Sequence, residues 1–219
     1  MFRFVIAILF LSSILGEKCF ARQSSFSALV QEGDIVFQHI DGGELGRAID
    51  KVTAGFSGRD YNHCGMVVRV GDSLQVIEAI GSKVHLSTIA EFEKRCSPLD
   101  LLIGRLHPAY RHLVTKAEKA ALSFQGVPYD DYFEMDNGKL YCSELIYEAF
   151  RQANHGKPFF NLKPMTFKDP ETKALFPSWV EYFAKLKHQI PQNKPGINPG
   201  LLSRSLKLTI IPVTRLSTR

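Results

Sequence analysis

Residues 63–80, HCGMVVRVGDSLQVIEAI, most constrain what this chain can fold into. Two apolar, β-branched runs flank Gly71-Asp72, a turn signal, so His63–Val70 and Leu74–Ile80 are expected as the strands of a hairpin. Alternation puts His63, Gly65 and Val67 on one strand face and Cys64, Met66 and Val68 on the other. On the second strand Val76, Glu78 and Ile80 share a face. A histidine and a glutamate on neighbouring antiparallel strands can sit side by side. That geometry lets a carboxylate bind one imidazole nitrogen and leave the other as a base.

The second constraining stretch is YCSELIYEAF, residues 141–150. Cys142, Leu145, Ile146, Ala149 and Phe150 follow the spacing of one helical face, with the cysteine at the helix start. Two readings are open at this point. Free cysteine is a common core residue. A cysteine at a helix N-terminus also has its thiolate stabilised by the free N–H groups and the helix dipole. In the second reading the backbone N–H of Cys142 would face an oxyanion.

Around these two stretches the elements alternate irregularly. Ile35–Phe37 reads as a short buried strand. Leu45, Ala48, Ile49 and Val52 make an amphipathic helix closed by Gly55. Residues 84–95 are expected as a strand and a helix, 101–106 as a strand, and 110–125 as a helix stopped by Gly126 and Pro128. The segment from about 156 is Pro-rich, with a helix from Ser178 to about His188 and a strand-like run at 206–211. The order suggests an α+β fold with an antiparallel sheet.

The chain of 219 residues opens with Arg3, an apolar run from Phe4 to Leu15 and a small residue at Ala21. That is the layout of a secretory signal peptide over residues 1–21, and the apolar run is short for a membrane span of roughly 20 residues. The expected arrangement is therefore a leader followed by one domain over 22–219, exported to a bacterial periplasm or the extracellular space. The remaining chain has 25 basic and 21 acidic residues, net +4, spread without a basic stripe. No nucleic-acid partner is expected; peripheral contact with a membrane or cell wall and a homodimer stay open. Cys64, Cys96 and Cys142 are an odd set with no CxxC or CxxH pair, which argues against a disulfide scaffold and a structural zinc site. Cys64 is read as core and Cys96, in the charged run EFEKRCSP, as incidental. His39, His85, His107, His112, His155 and His188 lack a comparable context.

GDIVFQ, YNHCGMVV, VIEAIG, GVPYD and YCSELIYEAF, in this order, resemble the YiiX/YebB-like group of permuted NlpC-type cysteine hydrolases. The resemblance runs from about Gly33 to Phe150 and more weakly to about Ser205. In ordinary papain-like enzymes the cysteine helix precedes the histidine strand; here His63 precedes Cys142, as in the circularly permuted branch that includes relatives of lecithin:retinol acyltransferase. The resemblance implies a permuted papain-like fold with Cys142 as nucleophile, His63 as general base, Glu78 as the group that orients the histidine, and Tyr141 at a position that shapes the oxyanion site. Cys64 departs from the Val, Ile or Thr usual in relatives. The implied activity is hydrolysis of an amide or ester without metal or organic cofactor, on a small molecule, a wall peptide or an acyl lipid. The alternatives are a catalytically weak binding module on the same scaffold, and a metal site of His63, Cys64 and Cys142. The opposite strand faces of His63 and Cys64 disfavour the metal site.

Overall fold

A computed structural model describes residues 25–211 and 213. The signal-peptide reading of residues 1–21 lies outside these residues. No helix among the described residues is long and apolar enough to cross a membrane.

After a one-turn helix, α1 (Phe26–Leu29), come β1 (Ile35–Gln38), α2 (Gly43–Val52), β2 (His63–Val70), β3 (Ser73–Ile80), β4 (Lys83–Thr88), α3 (Ile89–Glu93) and β5 (Leu101–Leu106). Helices α4 (Val114–Ser123) and α5 (Cys142–Ala153) follow. The C-terminal part holds β6 (Lys163–Pro164), α6 (Pro177–Leu186), β7 (Pro195–Gly196), α7 (Pro199–Ser203) and β8 (Leu208–Ile211). The main sheet is antiparallel in the order β4-β3-β2-β1-β5-β8, and β6 pairs with β7 in a separate two-stranded ladder. The architecture is α+β, as the sequence suggests.

Both faces of the sheet are covered, which explains why β1 is buried at every position. On one face Cys64, Met66, Val68, Ile77 and Ala79 pack with α4 and α5. On the other, Val36, Val67, Val76 and Ile103 pack with Phe26 and Val30 around α1 and with Phe92 of α3. Leu145, Ile146, Ala149 and Phe150 of α5 are fully buried against the first face. Each large side chain among them contributes roughly 1.5–3 kcal/mol on leaving water. The helix is more deeply enclosed than an amphipathic stripe requires, because the C-terminal segment crosses its polar side: Ser143 Oγ donates to the Ile197 carbonyl at 2.9 Å. That segment also returns β8 to the edge of the sheet beside β5.

The sequence places one helix over residues 110–125; the structure divides it into a 3-10 turn, Pro108–Leu113, and α4. Pro108 sits in the first turn, where its missing N–H costs nothing. Helices α1 and α7 and the β6–β7 ladder have no counterpart in the sequence reading.

Candidate active site

His63 is the first residue of β2, at the end of the strand. Its Nε2 lies 2.6 Å from Glu78 Oε2, and both side chains are buried. The sheet makes this approach by a diagonal. Continuing the register Met66↔Ile77 sets Glu78 opposite Gly65, and the carboxylate leans two residues along to reach the ring. Gly65 leaves the room: a Cβ there would meet Val76 Cγ1 at 2.5 Å and Glu78 Cβ at 3.2 Å. Phe92 flanks the imidazole with ring centroids 6.1 Å apart.

Glu78 has no solvent exposure. Burial pushes its carboxyl up, but the hydrogen bonds and charge of His63, with help from Arg95 and Ser87, outweigh it and hold the pKa down at about 2. Arg95 reaches both carboxylate oxygens through one nitrogen, at 2.7 and 2.6 Å. Burial also favours the neutral His63 ring, yet Cys142 and Glu78 together lift its pKa to about 9.

Cys142 opens α5 and is almost wholly buried. Helix α5 packs on the Cys64 face of the sheet, opposite the face that carries Glu78. The cysteine therefore meets the histidine at the strand end and not across the sheet surface. Its thiol is held well below the ordinary cysteine range. The largest cause is the thiol of Cys64; against burial, His63 adds a hydrogen bond and positive charge, and the Cys64 main chain adds a further hydrogen bond. Cys64 is itself raised well above its ordinary range, by burial and then by Cys142, so it remains a protonated donor. Reading Cys64 as core is right in burial, but it also faces the cysteine that opens α5.

Tyr141 caps α5 and lines the cleft in front of Cys142. Its hydroxyl is engaged on the far side, donating to Met135 Sδ at 3.5 Å and accepting the Ile197 N–H at 3.2 Å. Three of the four residues singled out in the sequence thus share one electrostatic unit, and the fourth holds the helix start against the C-terminal segment. Sequence reasoning missed Arg95, which lies in a charged run without periodicity. It also missed Asn62, whose amide accepts from the Ile40 N–H at 2.8 Å and donates to the Ile40 carbonyl at 2.9 Å. Asn62 thereby ties the loop before His63 to the end of β1. Cys96 is half-buried beside Arg95 against the cluster around Phe92, and its thiol is pushed up to about 11 by burial. Cys64, Cys96 and Cys142 are all free.

The cleft spans about 820 Å³. Apolar side chains from α2 (Ile49, Val52), the β6 segment (Met165, Phe167) and α6 (Trp179) line it, together with Ile197. Among the described residues, Lys163 is the only Lys, Arg, Asp or Glu on the lining. Among the described residues no group of three or more His, Cys, Asp or Glu side chains is arranged to hold a metal ion, and His63 Nε2 is already committed to Glu78.

A cysteine at a helix start, set against a histidine on an earlier strand of an antiparallel sheet, defines a papain-like protein in permuted order. The chain belongs to the family of permuted papain-like amidase enzymes described as YaeF/YiiX, or C92, whose family model matches residues 29–212. It is 30% identical over 149 residues to the uncharacterized protein YiiX of Escherichia coli K12, covering 67% of this chain and 67% of that one. The crystal structure of YiiX from Escherichia coli O157:H7, described as a metalloprotein, superposes with a TM-score of 0.69 at 22% identity, covering 83% of this chain and 96% of that one.

Proposed function

We propose that the protein is a thiol-dependent hydrolase that cleaves an amide or ester of an apolar acyl group, with Cys142 as nucleophile, His63 as general base and acid, and Glu78 as the residue that orients the histidine. The observation that carries this reading is a cysteine at the start of α5 beside the end of β2, where the histidine has one ring nitrogen already held by Glu78. An ionised Glu78 accepts hydrogen bonds only, so Nε2 carries the proton that faces it and Nδ1 is left for the thiol proton.

The steps follow from that assignment. The thiol proton passes to His63, and the Cys142 sulfur forms a bond to the carbonyl carbon. The oxygen of the tetrahedral adduct is met by the backbone N–H of Cys142 at the start of α5. His63 returns the proton to the leaving amine or alcohol as the C–N or C–O bond breaks, leaving a thioester. Water then attacks the thioester, His63 takes its proton, and the acid departs as the thiol is restored.

The apolar lining supports the acyl preference. Among the described residues no carboxylate lines the cleft to meet the ammonium of a peptide substrate, whereas its aromatic and aliphatic walls suit a hydrocarbon chain. The structural neighbour is described as a metalloprotein; among the described residues of this chain no group of three or more His, Cys, Asp or Glu side chains is arranged to hold a metal ion.

The test is alkylation and turnover on the same preparations. Iodoacetamide should label Cys142 at slightly acid pH and abolish hydrolysis of N-acyl anilides, and Cys142→Ala should lose both. Labelling that persists in Cys142→Ala, or hydrolysis unaffected by it, would overturn the proposal.

A further inference from the structure

We infer that Arg95 is a positioning residue of this site, holding the buried Glu78 carboxylate ionised and aimed so that His63 stays an imidazolium beside Cys142. The inference rests on the hydrolase reading above and deepens it.

The geometry comes from a short piece of chain. Thr88 and Glu91 close a capping box at the start of α3, which delivers Phe92 and, three residues on, Arg95 to the same place. The Phe92 ring lies against His63, and the Arg95 guanidinium lies over that ring, 5.1 Å from its centroid. One terminal nitrogen of Arg95 spans both oxygens of Glu78, and the same nitrogen is 3.4 Å from Gln38 Oε1. Gln38 is the cross-strand partner of His63, so Arg95 touches the groups on either side of the histidine.

Arg95 meets the carboxylate through one terminal nitrogen. The fork geometry that binds a carboxylate best uses two nitrogens. Here Arg95 Nε is buried without a partner, and so is Gln38 Nε2.

In the reactive state four ionised groups lie together: the Arg95 cation, the Glu78 anion, the His63 cation and the Cys142 anion. Their sum is zero. Without Arg95 the set carries an unbalanced buried negative charge, which a low-dielectric interior relieves by protonating Cys142 or Glu78. Either outcome removes the reactive state. The other groups around the set do not substitute. Facing Glu78 from β4 are Ser87 and a half-exposed His85 that turns to the Lys83 carbonyl. Among the described residues around Cys142 are Cys64 from β2, with Tyr129 and Tyr141, and Glu144 two residues along α5, none of them a cation.

The experiment is the pH dependence of iodoacetamide alkylation of Cys142 in the wild type, Arg95→Gln, Arg95→Lys, Glu78→Gln and the double variant Glu78→Gln/Arg95→Gln, with melting curves for each. Arg95→Gln should raise the acidic midpoint by on the order of one pH unit, about a tenfold slower reaction below it. Arg95→Lys, which keeps the charge, should recover most of that. Arg95→Gln should raise the midpoint less in the Glu78→Gln background than in the wild type, because Arg95 then has no carboxylate to hold. If Arg95→Gln fails to fold, the melting curve of the double variant decides: the inference requires that Glu78→Gln restore folding, since the double variant leaves no unbalanced buried charge, and a double variant that also fails to fold overturns it. An unchanged midpoint in Arg95→Gln, or an Arg95→Gln shift just as large when Glu78 is already Gln, overturns the inference. A wild-type thiol that reacts only near its ordinary value of about 8.5 overturns the hydrolase reading instead.

Discussion

His63 Nε2 and Glu78 Oε2 lie 2.6 Å apart with both side chains buried, so the charge on each group shifts the titration of the other. The pair sets a pH window. Glu78 is lowered from its ordinary 4.5 to about 2, so its stabilising contribution is present above 4.5 and lost as pH falls through about 2. His63 is raised from 6.5 to about 9, so its contribution is present below 6.5 and lost as pH rises through about 9. Hydrolysis should therefore hold on the alkaline side and fall with an apparent pKa near 9. Glu78→Gln should lower kcat by roughly 10²- to 10³-fold and move that limb down, measured from kcat/KM against pH. A Glu78→Gln variant with the wild-type alkaline limb would show that the carboxylate does not hold the imidazolium.

Gly65 gives a steric test of the same pair. Gly65→Ala puts a methyl 2.5 Å from Val76 Cγ1 and crowds the Glu78 Cβ. The strand must shift, costing roughly 1–3 kcal/mol by overpacking, and the diagonal to His63 is disturbed. Activity should drop more than stability alone explains, which paired melting and kcat/KM measurements would separate.

The hairpin of β2 and β3 was legible because period-2 alternation and Gly71-Asp72 point the same way, and α5 because its apolar spacing is helical from Cys142 on. Alternation tells which residues share a face, but not which layer will cover it. Hence Cys64 could be read as core while its position beneath the start of α5 could not. Arg95 carries no periodic signal, and its partner is 17 residues away in sequence. The stretch from 156 onward consists of short, Pro-interrupted pieces. Their places depend on long-range contacts such as Ser143 Oγ to the Ile197 carbonyl and β8 to β5, which no local pattern announces.

Cys64 is the departure from the family pattern that bears most directly on the thiol. Its side chain is the largest cause lowering Cys142. Cys64→Val keeps the volume class and removes the donor; Cys64→Ser keeps a donor. Valine should slow Cys142 alkylation at pH 6 by about threefold to tenfold, a shift of roughly half to one unit, with serine close to the wild type. Equal rates in all three would reduce Cys64 to packing.

Glu144 sits one turn into α5 with only 1% of its surface exposed. Burial, then the carboxylates of Asp130 and Glu148, push its carboxyl up to about 9, although it accepts the Tyr141 N–H at 3.4 Å. A raised acid stabilises below 4.5 and loses that contribution as pH rises through about 9. Glu144→Gln keeps the acceptor and removes the titration. It should match the wild type near pH 4 and be more stable by roughly 1–2 kcal/mol at pH 8, read from denaturant midpoints. The alkylation profile of Cys142 should not move, because a neutral Glu144 has no charge to impose on it.

The cleft makes a prediction about substrates. If its apolar wall takes the acyl chain, kcat/KM should rise by about fourfold per methylene, the equivalent of roughly 0.8 kcal/mol of buried CH₂, until the wall is filled. Leu201 is half-buried on that wall. Leu201→Glu would set a carboxylate where the chain lies, at modest cost to the fold. The variant should cleave acetyl substrates at near the wild-type rate and lose the gain with chain length. A flat chain-length series in the wild type, with preference for substrates carrying a free ammonium, would sink the acyl assignment while leaving the thiol mechanism standing.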